Sequence, residues 1–484
     1  MIRKGQDSLL KYPDSPAGCI KSKTKIKIKI KNKHKKFLRI FFRFLLFALL
    51  FFSTYDCAAW AGGNAGANHE KKSQAAAVRY QTPLFGQGFK GRVFGKEITV
   101  APFNTRSISS WVLGAGLEEP PPEDSELLPV GSLYFWRHPD SAHLLRADVS
   151  GVYDDIFWAR RLTKKNKKNK NPFWRHGGLE AVLTFNNFTL PVARAELVDG
   201  RSLSAGELLW GYVRAGFGLG YRRQVSPGLQ DNMFAVDLIL EPGFLYFDKG
   251  PDTAAGFSVP ENTPELRARL QVRLDALKRN ILKLAHQGYA AGAELVYGYR
   301  TDWRDWGTAD GEKASEGREY LSFTGYFLKA GGLPWTKSSR QRFITSINGG
   351  VGYHLDRFSA PRVGGGPDPM GEEYGSTWMP VLPGAAIWEF FPHHYVLLTG
   401  EYRYEPIFFT YLGLDAAAGW LDRLRNTLNG PVSKNDLMSS AGVRITTGFF
   451  FNTRLQIDYN YNFSVIRKGS YGGNEFLVQL SGDL

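Results

Sequence analysis

The sequence predicts an all-β fold, a transmembrane antiparallel β-barrel of about 16 strands. Three observations carry that expectation. Segment after segment alternates apolar and polar residues with period two, the spacing of a strand with one greasy and one wet face. The polar positions of those segments carry Arg, Glu and Asp, which suits a hydrated inner wall. The composition combines 53 glycines and 14% aromatics with a mean hydropathy of only −0.28. A polytopic helical membrane protein would need several apolar runs of about twenty residues, and the chain approaches one such run at most.

The charge has a location. The 484 residues hold 61 Lys and Arg against 46 Asp and Glu, formally +15. Residues 1–61 account for 14 of the basic and 3 of the acidic side chains, so the remainder is near balance. General polyanion binding loses its support, and no nucleic-acid partner is expected. The lysine-dense tract Lys21–Lys36 precedes the apolar stretch Phe37–Phe52, whose uninterrupted part is Phe44–Phe52, and Ala59-Trp60-Ala61 follows. A basic flank, a short apolar run and an A-x-A site predict a secretory signal peptide cleaved after Ala61. Nine residues at 1.5 Å each are too short for ~30 Å of hydrocarbon, which argues against a retained anchor.

Both cysteines, Cys19 and Cys57, fall in that leader. A disulfide scaffold is excluded, and the mature chain would carry no thiol, as suits an oxidising compartment. Lipidation at Cys57 is the competing reading, weakened by the preceding Thr54-Tyr55-Asp56. The expected organisation is a leader over 1–61, a short periplasmic lead-in over 62–106 and an outer-membrane barrel over 107–484.

Strands are expected in chain order at 107–117, 128–137, 143–158 and 173–188. Val213, Ala215, Phe217 and Leu219 then alternate with Arg214, Gly216 and Gly218; 232–247 follows. Ala291, Ala293, Leu295, Tyr297 and Tyr299 alternate with Gly292, Glu294, Gly298 and Arg300. Further strands are read at 318–331, 341–355, 396–405, 408–420 and 440–446. The clearest is Arg454–Ser464, where Leu455, Ile457, Tyr459, Tyr461 and Phe463 take one face and Gln456, Asp458, Asn460 and Asn462 the other. The last segment places Phe476, Val478, Leu480 and Leu484 on one face, with Leu477 out of pattern, and is the expected assembly signal for the barrel assembly machinery. These make fourteen segments, with one or two more to be found.

A soluble sheet buries its apolar face, whereas a membrane barrel turns it to lipid. Aromatics near strand ends (Tyr402, Tyr404, Phe408, Phe409, Trp420 and Phe449–Phe451) resemble interfacial girdles, and only closed barrels or helices satisfy every backbone group in lipid. The tight turns at Glu405-Pro406-Ile407 and Thr447-Gly448-Phe449 belong on the periplasmic side. Alternation then puts the connections 356–392, 301–317 and 160–172 outside the cell.

Two stretches interrupt the strand rhythm. Over 263–286 Thr263 and Pro264 look like a helix start, and Leu266, Leu270, Leu274, Leu277, Ile281 and Leu284 form a stripe. An amphipathic helix is expected there, covering a rim or acting as a plug or interfacial element. Arg160–Arg175 carries eight positive charges and no acid. It reads as a solvated loop tip, or as a site for lipopolysaccharide phosphates.

Catalytic signatures are missing: there is no G-x-S-x-G, H-E-x-x-H, Walker loop or C-x-x-C. No enzyme activity, metal or cofactor is expected. Gly114-Ala115-Gly116 and Gly216-Phe217-Gly218-Leu219-Gly220 lie inside strands, so they serve close approach of neighbours. His393-His394 reads as an interfacial pair.

The C-terminal block carries a family likeness. Gly400-Glu401-Tyr402-Arg403-Tyr404, then Leu412–Trp420, then Ser440-Ala441-Gly442-Val443-Arg444, then Leu455–Tyr461 occur in that order. They resemble successive strand motifs of the outer-membrane assembly-factor superfamily, the BamA/TamA-type or surface-antigen barrels, over roughly 341–484. The resemblance implies a long loop folded into the lumen, here Asp356–Pro392, with an arginine meeting wall acids. The V-R-G-F/Y motif that carries this arginine in the family is not present in this loop. Arg362 in Ala360-Pro361-Arg362-Val363-Gly364-Gly365-Gly366 is its nearest counterpart, Glu401 and Asp415 are its expected partners, and Arg403, Arg444 and Asp458 share the inner wall. Residues 62–106 are too few for a POTRA domain of that family, so a barrel-only member is expected. The resemblance implies help in inserting or passing protein or lipid at the outer membrane, through a weak seam between first and last strands. A porin-like channel with a charged lumen is the alternative.

Overall fold

Sixteen antiparallel strands close on themselves in the computed structural model. It describes residues 81–484 apart from 94–95, 103, 120–126, 141, 163–176, 190–193, 199–200, 226–231, 308–316, 337, 367–379, 428–429, 449–452 and 468–469. The segment expected as a leader, most of the basic run, Glu373-Tyr374-Gly375 and Phe449–Phe451 lie outside the described residues.

A hairpin of β1 (Phe89–Val93) and β2 (Lys96–Val100) precedes the wall. The wall begins with β3 (Ser107–Glu119), β4 (Leu127–Arg137), β5 (His143–Val149), β6 (Tyr153–Arg161) and β7 (Gly177–Thr189). A short strand β8 (Arg194–Val198) pairs with the start of β9 (Arg201–Gln224), which itself joins β7 in the wall. Then come β10 (Met233–Lys249), β11 (Thr263–Arg279), β12 (Ala285–Arg300), β13 (Glu319–Gly331) and β14 (Gln341–Tyr353). The circuit ends with β15 (Pro392–Ile407), β16 (Thr410–Thr427), β17 (Gly430–Thr447), β18 (Thr453–Arg467) and β19 (Ser470–Asp483). Pairing of β19 with β3, from Asn474↔Glu119 to Asp483↔Ser110, closes the ring.

The wall is inside-out relative to a soluble protein. Leu219 is 62% exposed and Leu238 60%, whereas Glu241 and Arg300 are fully buried. Along β10 the odd positions Asp237, Ile239, Glu241 and Leu245 face the lumen, and Leu238, Leu240 and Phe244 face outward. A soluble chain does not expose its leucines and bury its arginines strand after strand. A wall set in hydrocarbon does. The glycine strings behave as expected of close approach: Gly218 lies against the Leu238–Ile239 backbone, and Gly220 leaves room for the Asp237 carboxylate.

Two readings are corrected, and together they supply the two strands missing from the fourteen. The segment expected as a helix over 263–286 is β11, a short turn and the start of β12. Leu266, Leu270 and Leu274 are spaced by four, which fits both a helical stripe and one face of a strand. The residues between decide it: Ala268 and Val272 continue the outward face, while Glu265, Arg269 and Gln271 point inward and are buried. The segment 143–158 is two strands, β5 and β6, joined at Ser150–Val152, where Gly151 takes φ 78° and the Asp154 carboxylate accepts from the Ser150 and Gly151 N–H groups. Splitting that strand reverses the parity of the next connection. Arg161 and Gly177, where β6 ends and β7 begins, therefore lie at the rim of the short 408–409 turn, opposite Arg300, Glu319, Tyr353 and Pro392.

Apolar clusters occupy both ends of the lumen. At the rim of the short turns, Phe85 from the segment before β1 is 1% exposed and packs with Tyr134, Trp136, Phe157, Val182 and Ile239. At the other rim, Phe358 joins Phe188, Trp210, Phe247, Phe257, Trp303 and Trp306, drawing three loops together.

Candidate functional site

The site is the lumen and the loop folded into it. Buried ions line the wall from β9 to β12. Arg214 Nη2 lies 2.7 Å from Glu265 Oε2, and Arg300 Nε lies 3.2 Å from Glu265 Oε1, which also accepts from the Tyr320 hydroxyl at 2.9 Å. Arg269 reaches Glu241 at 2.6 Å and Glu294 at 3.5 Å. Period-two placement brings these inward groups together, Arg300 beside Glu265 on neighbouring strands and Arg214 reaching Glu265 over Gly243 of the intervening β10, and pairing offsets the large cost of burying each charge.

The loop between β14 and β15 docks on this wall at its first residues. Arg300 donates to Asp356 (2.5 Å). The same carboxylate accepts from the Phe358 N–H (3.0 Å), the Ser359 N–H (2.9 Å) and the Ser359 hydroxyl (2.7 Å), so it shapes the turn it anchors. Arg362 is 2% exposed, with its guanidinium 4.7 Å from the Trp210 and Phe391 ring centroids and 5.3 Å from that of Phe188. Such stacking is worth about 2 kcal/mol when desolvated.

The returning limb is tied to the closing strands. Val363 and Phe390 bridge the two limbs. Arg467 on β18 grips Glu389 with both terminal nitrogens, at 2.8 and 2.7 Å. Glu475 on β19 accepts from the N–H groups of Gly366 (2.8 Å) and Gly384 (2.9 Å) and from Asn460 (3.1 Å). Both glycines have positive φ, 115° and 75°, a backbone state that glycine adopts without penalty. Glu118 on β3 accepts from the Ile387 N–H at 3.3 Å. Glu475 and Glu118 are register partners across the closing pair. Like charges opposite each other weaken a strand pair, and the loop's N–H groups offset this.

The residues expected from sequence form a second group lower on the wall. Glu401 is held by Arg403 (2.5 and 2.7 Å), and Arg444 donates to Asp458 (2.6 Å) and lies 3.9 Å from both Asp415 and Glu401. Five of the six named residues thus meet. Arg362 sits instead among aromatic rings, and basic side chains of the wall engage Glu401 and Asp415. Phe476, Val478 and Leu480 form the outward face of β19, with Leu477 turned inward and 3% exposed, and Leu484 follows the strand's last residue, exposed. His394 lies 3.4 Å from Asp422. Sequence reasoning missed Arg300, Asp356, Glu389, Arg467, Glu475 and Glu118. The inward position of Glu475 in an alternating strand and the Gly364-Gly365-Gly366 run were the available signals.

No family model and no curated protein matches the sequence. Solved structures with a related strand arrangement include BamA from Haemophilus ducreyi lacking POTRA domains 1–3, with a TM-score of 0.46 and 10% identity over 82% of this chain and 75% of that one. CdiB from Acinetobacter baumannii gives 0.40 and 12% over 83% and 64%. OccK10 (OpdN) from Pseudomonas aeruginosa gives 0.32 and 8% over 79% and 99%. The likeness is one of barrel architecture and carries no activity with it. The chain is an outer-membrane-type β-barrel of sixteen antiparallel strands, with a loop folded into a charged lumen.

Proposed function

We propose that this protein resides in the bacterial outer membrane and assists the insertion or passage of protein or lipid there, working at the seam between β3 and β19. The observation that carries the reading is the loop's attachment to both sides of that seam, through Glu475 and Glu118, with Arg467 holding the adjacent strand. A loop needed only to narrow a channel has no reason to satisfy two facing carboxylates at one strand junction. Ten register pairs close the seam, so opening it requires release of such internal ties. A strand of a client could then add to the freed edge.

The test is client folding in lipid vesicles. Ala115 and Val478 are register partners on the outward face. An Ala115→Cys/Val478→Cys variant, with Cys19 and Cys57 replaced by serine, can be locked by oxidation. The parent is expected to accelerate folding of a urea-denatured eight-stranded barrel, the oxidised variant to lose that effect, and reduction to restore it. Equal acceleration by locked and reduced forms would sink the reading. A steady open conductance in planar bilayers, with no effect on client folding, would favour the porin-like alternative.

A further inference from the structure

The turn between β11 and β12 has more reach than a hairpin needs. In the ring of sixteen, β11 and β12 stand directly opposite the seam, β11 being eighth counted from β3 and β12 eighth counted from β19. Yet Lys283 in that turn donates to Ser110 Oγ on β3 (2.8 Å) and to Asp483 on β19. Ser110 and Asp483 are register partners, the last pair of the closing ladder. The Leu282 carbonyl accepts from Arg454 on β18 at 3.3 Å. The turn therefore crosses the mouth of the barrel and ends on the three strands around the seam. Lys283 itself has φ 63°, a state that residues with a Cβ avoid unless surrounding contacts impose it.

Asn280 shapes the turn, its side-chain oxygen accepting from the Leu282 and Leu284 N–H groups (3.0 Å each) and its carbonyl from the Lys283 N–H (2.9 Å), and the segment before β1 holds the turn in place. The Phe85 N–H donates to the Arg279 carbonyl (2.9 Å), and the Ile281 N–H donates to the Pro83 carbonyl (3.1 Å). Leu84 and Asn280 form an antiparallel bridge. The Thr82 hydroxyl donates to Glu405 (2.7 Å) and fixes the far end of the segment to β15. The Phe85 ring is buried under the turn, 5.5 Å from the Lys283 ammonium.

We propose that Thr82–Phe85 and the 280–284 turn form a cross-bar that pins the seam at the rim of the short turns, so that displacement of the N-terminal segment releases Lys283 from Ser110 and Asp483. The seam then has two internal ties, the loop at its Glu475↔Glu118 end and the cross-bar at its Asp483↔Ser110 end. Anything that engages the chain ahead of Thr82 acts on the seam through this bar. The inference rests on the seam being the working site, and it adds a route by which the seam is regulated.

Two spin-label pairs read the two ends without any client. Leu113→Cys/Leu480→Cys reports the cross-bar end, and Leu117→Cys/Phe476→Cys the loop end, each in the full chain with Cys19 and Cys57 replaced by serine and reconstituted in vesicles. Lys283→Ala is expected to raise the separated population at 113/480 by about two- to fivefold, the ratio a half-exposed ion pair supports, and to leave 117/476 unchanged. Lys283→Arg keeps the parent distances. The triple change Pro83→Gly/Leu84→Gly/Phe85→Gly gives the same opening as Lys283→Ala, and combining the two adds nothing. Asp483→Asn, at an exposed strand end, gives the result without touching the turn. Unchanged 113/480 distances in Lys283→Ala and Asp483→Asn, or additive effects of the turn and segment changes, overturn the proposal. A seam that responds in this way while client folding does not would reject the assembly reading alone.

Discussion

Glu475 and Glu118 face each other across the strand pair that closes the barrel, and N–H groups from one lumen loop donate to both. Two acids at such a junction are compatible with a closed ring because the loop supplies their donors. Loop seating and ring closure are thereby parts of one energetic unit.

Glu475→Gln retains the shape but not the charge, and it cannot accept from Gly366, Gly384 and Asn460 with both atoms. Leaving a buried N–H without an acceptor costs about 1–3 kcal/mol. Tryptic cleavage at Arg357 and Arg362 should accelerate in the variant. An unchanged cleavage rate would contradict the role assigned to Glu475.

Glu389 and Arg467 are both buried. Arg467→Met strands a carboxylate and is expected to cost about 3–5 kcal/mol, whereas Glu389→Met/Arg467→Met removes both charges and recovers most of the loss. Heat-modifiable gel migration across a urea series measures this. A double variant as unstable as the single one would refute the pairing.

Arg362 packs its guanidinium against three aromatic rings and donates to the Arg357 carbonyl (3.3 Å), a broad contact that a lysine ammonium does not reproduce. Arg362→Lys is expected to destabilise nearly as much as Arg362→Ala, by about 2 kcal/mol, read as a lowered thermal transition. Full retention of stability by the lysine variant would point to charge alone.

Glu265 joins Arg214, Arg300 and Tyr320 in the wall, while Glu261 pairs with Arg304 in solvent. Glu265→Gln is expected to destabilise by about 3 kcal/mol or more, and Glu261→Gln by less than about 0.5 kcal/mol. Urea unfolding of the two variants side by side checks the contrast.

Strand periodicity was legible wherever the apolar face was continuous, as in β18, where Leu455 to Phe463 leave no other period open. In β11 the charged inner face resembled the wet side of a helix, and leucines four apart satisfied both periods. In β5–β6 the three-residue turn held only one glycine to mark it. The wall group of Glu401, Arg403, Asp415, Arg444 and Asp458 was legible because adjacent strands bring like-phased positions together. The loop contacts were not, because Glu475 meets Gly366 across 109 residues, and only the closed ring makes them neighbours.

The wall's inside-out order is tested most directly along β11, where helix and strand give opposite answers. Nitroxide labels placed singly from Glu265 to Leu274 in vesicles report oxygen contact at each position. The structure predicts maxima at Leu266, Ala268, Leu270, Val272 and Leu274 and minima at Glu265, Arg267, Arg269, Gln271 and Arg273. A profile repeating every three to four residues, or a flat one, would contradict it.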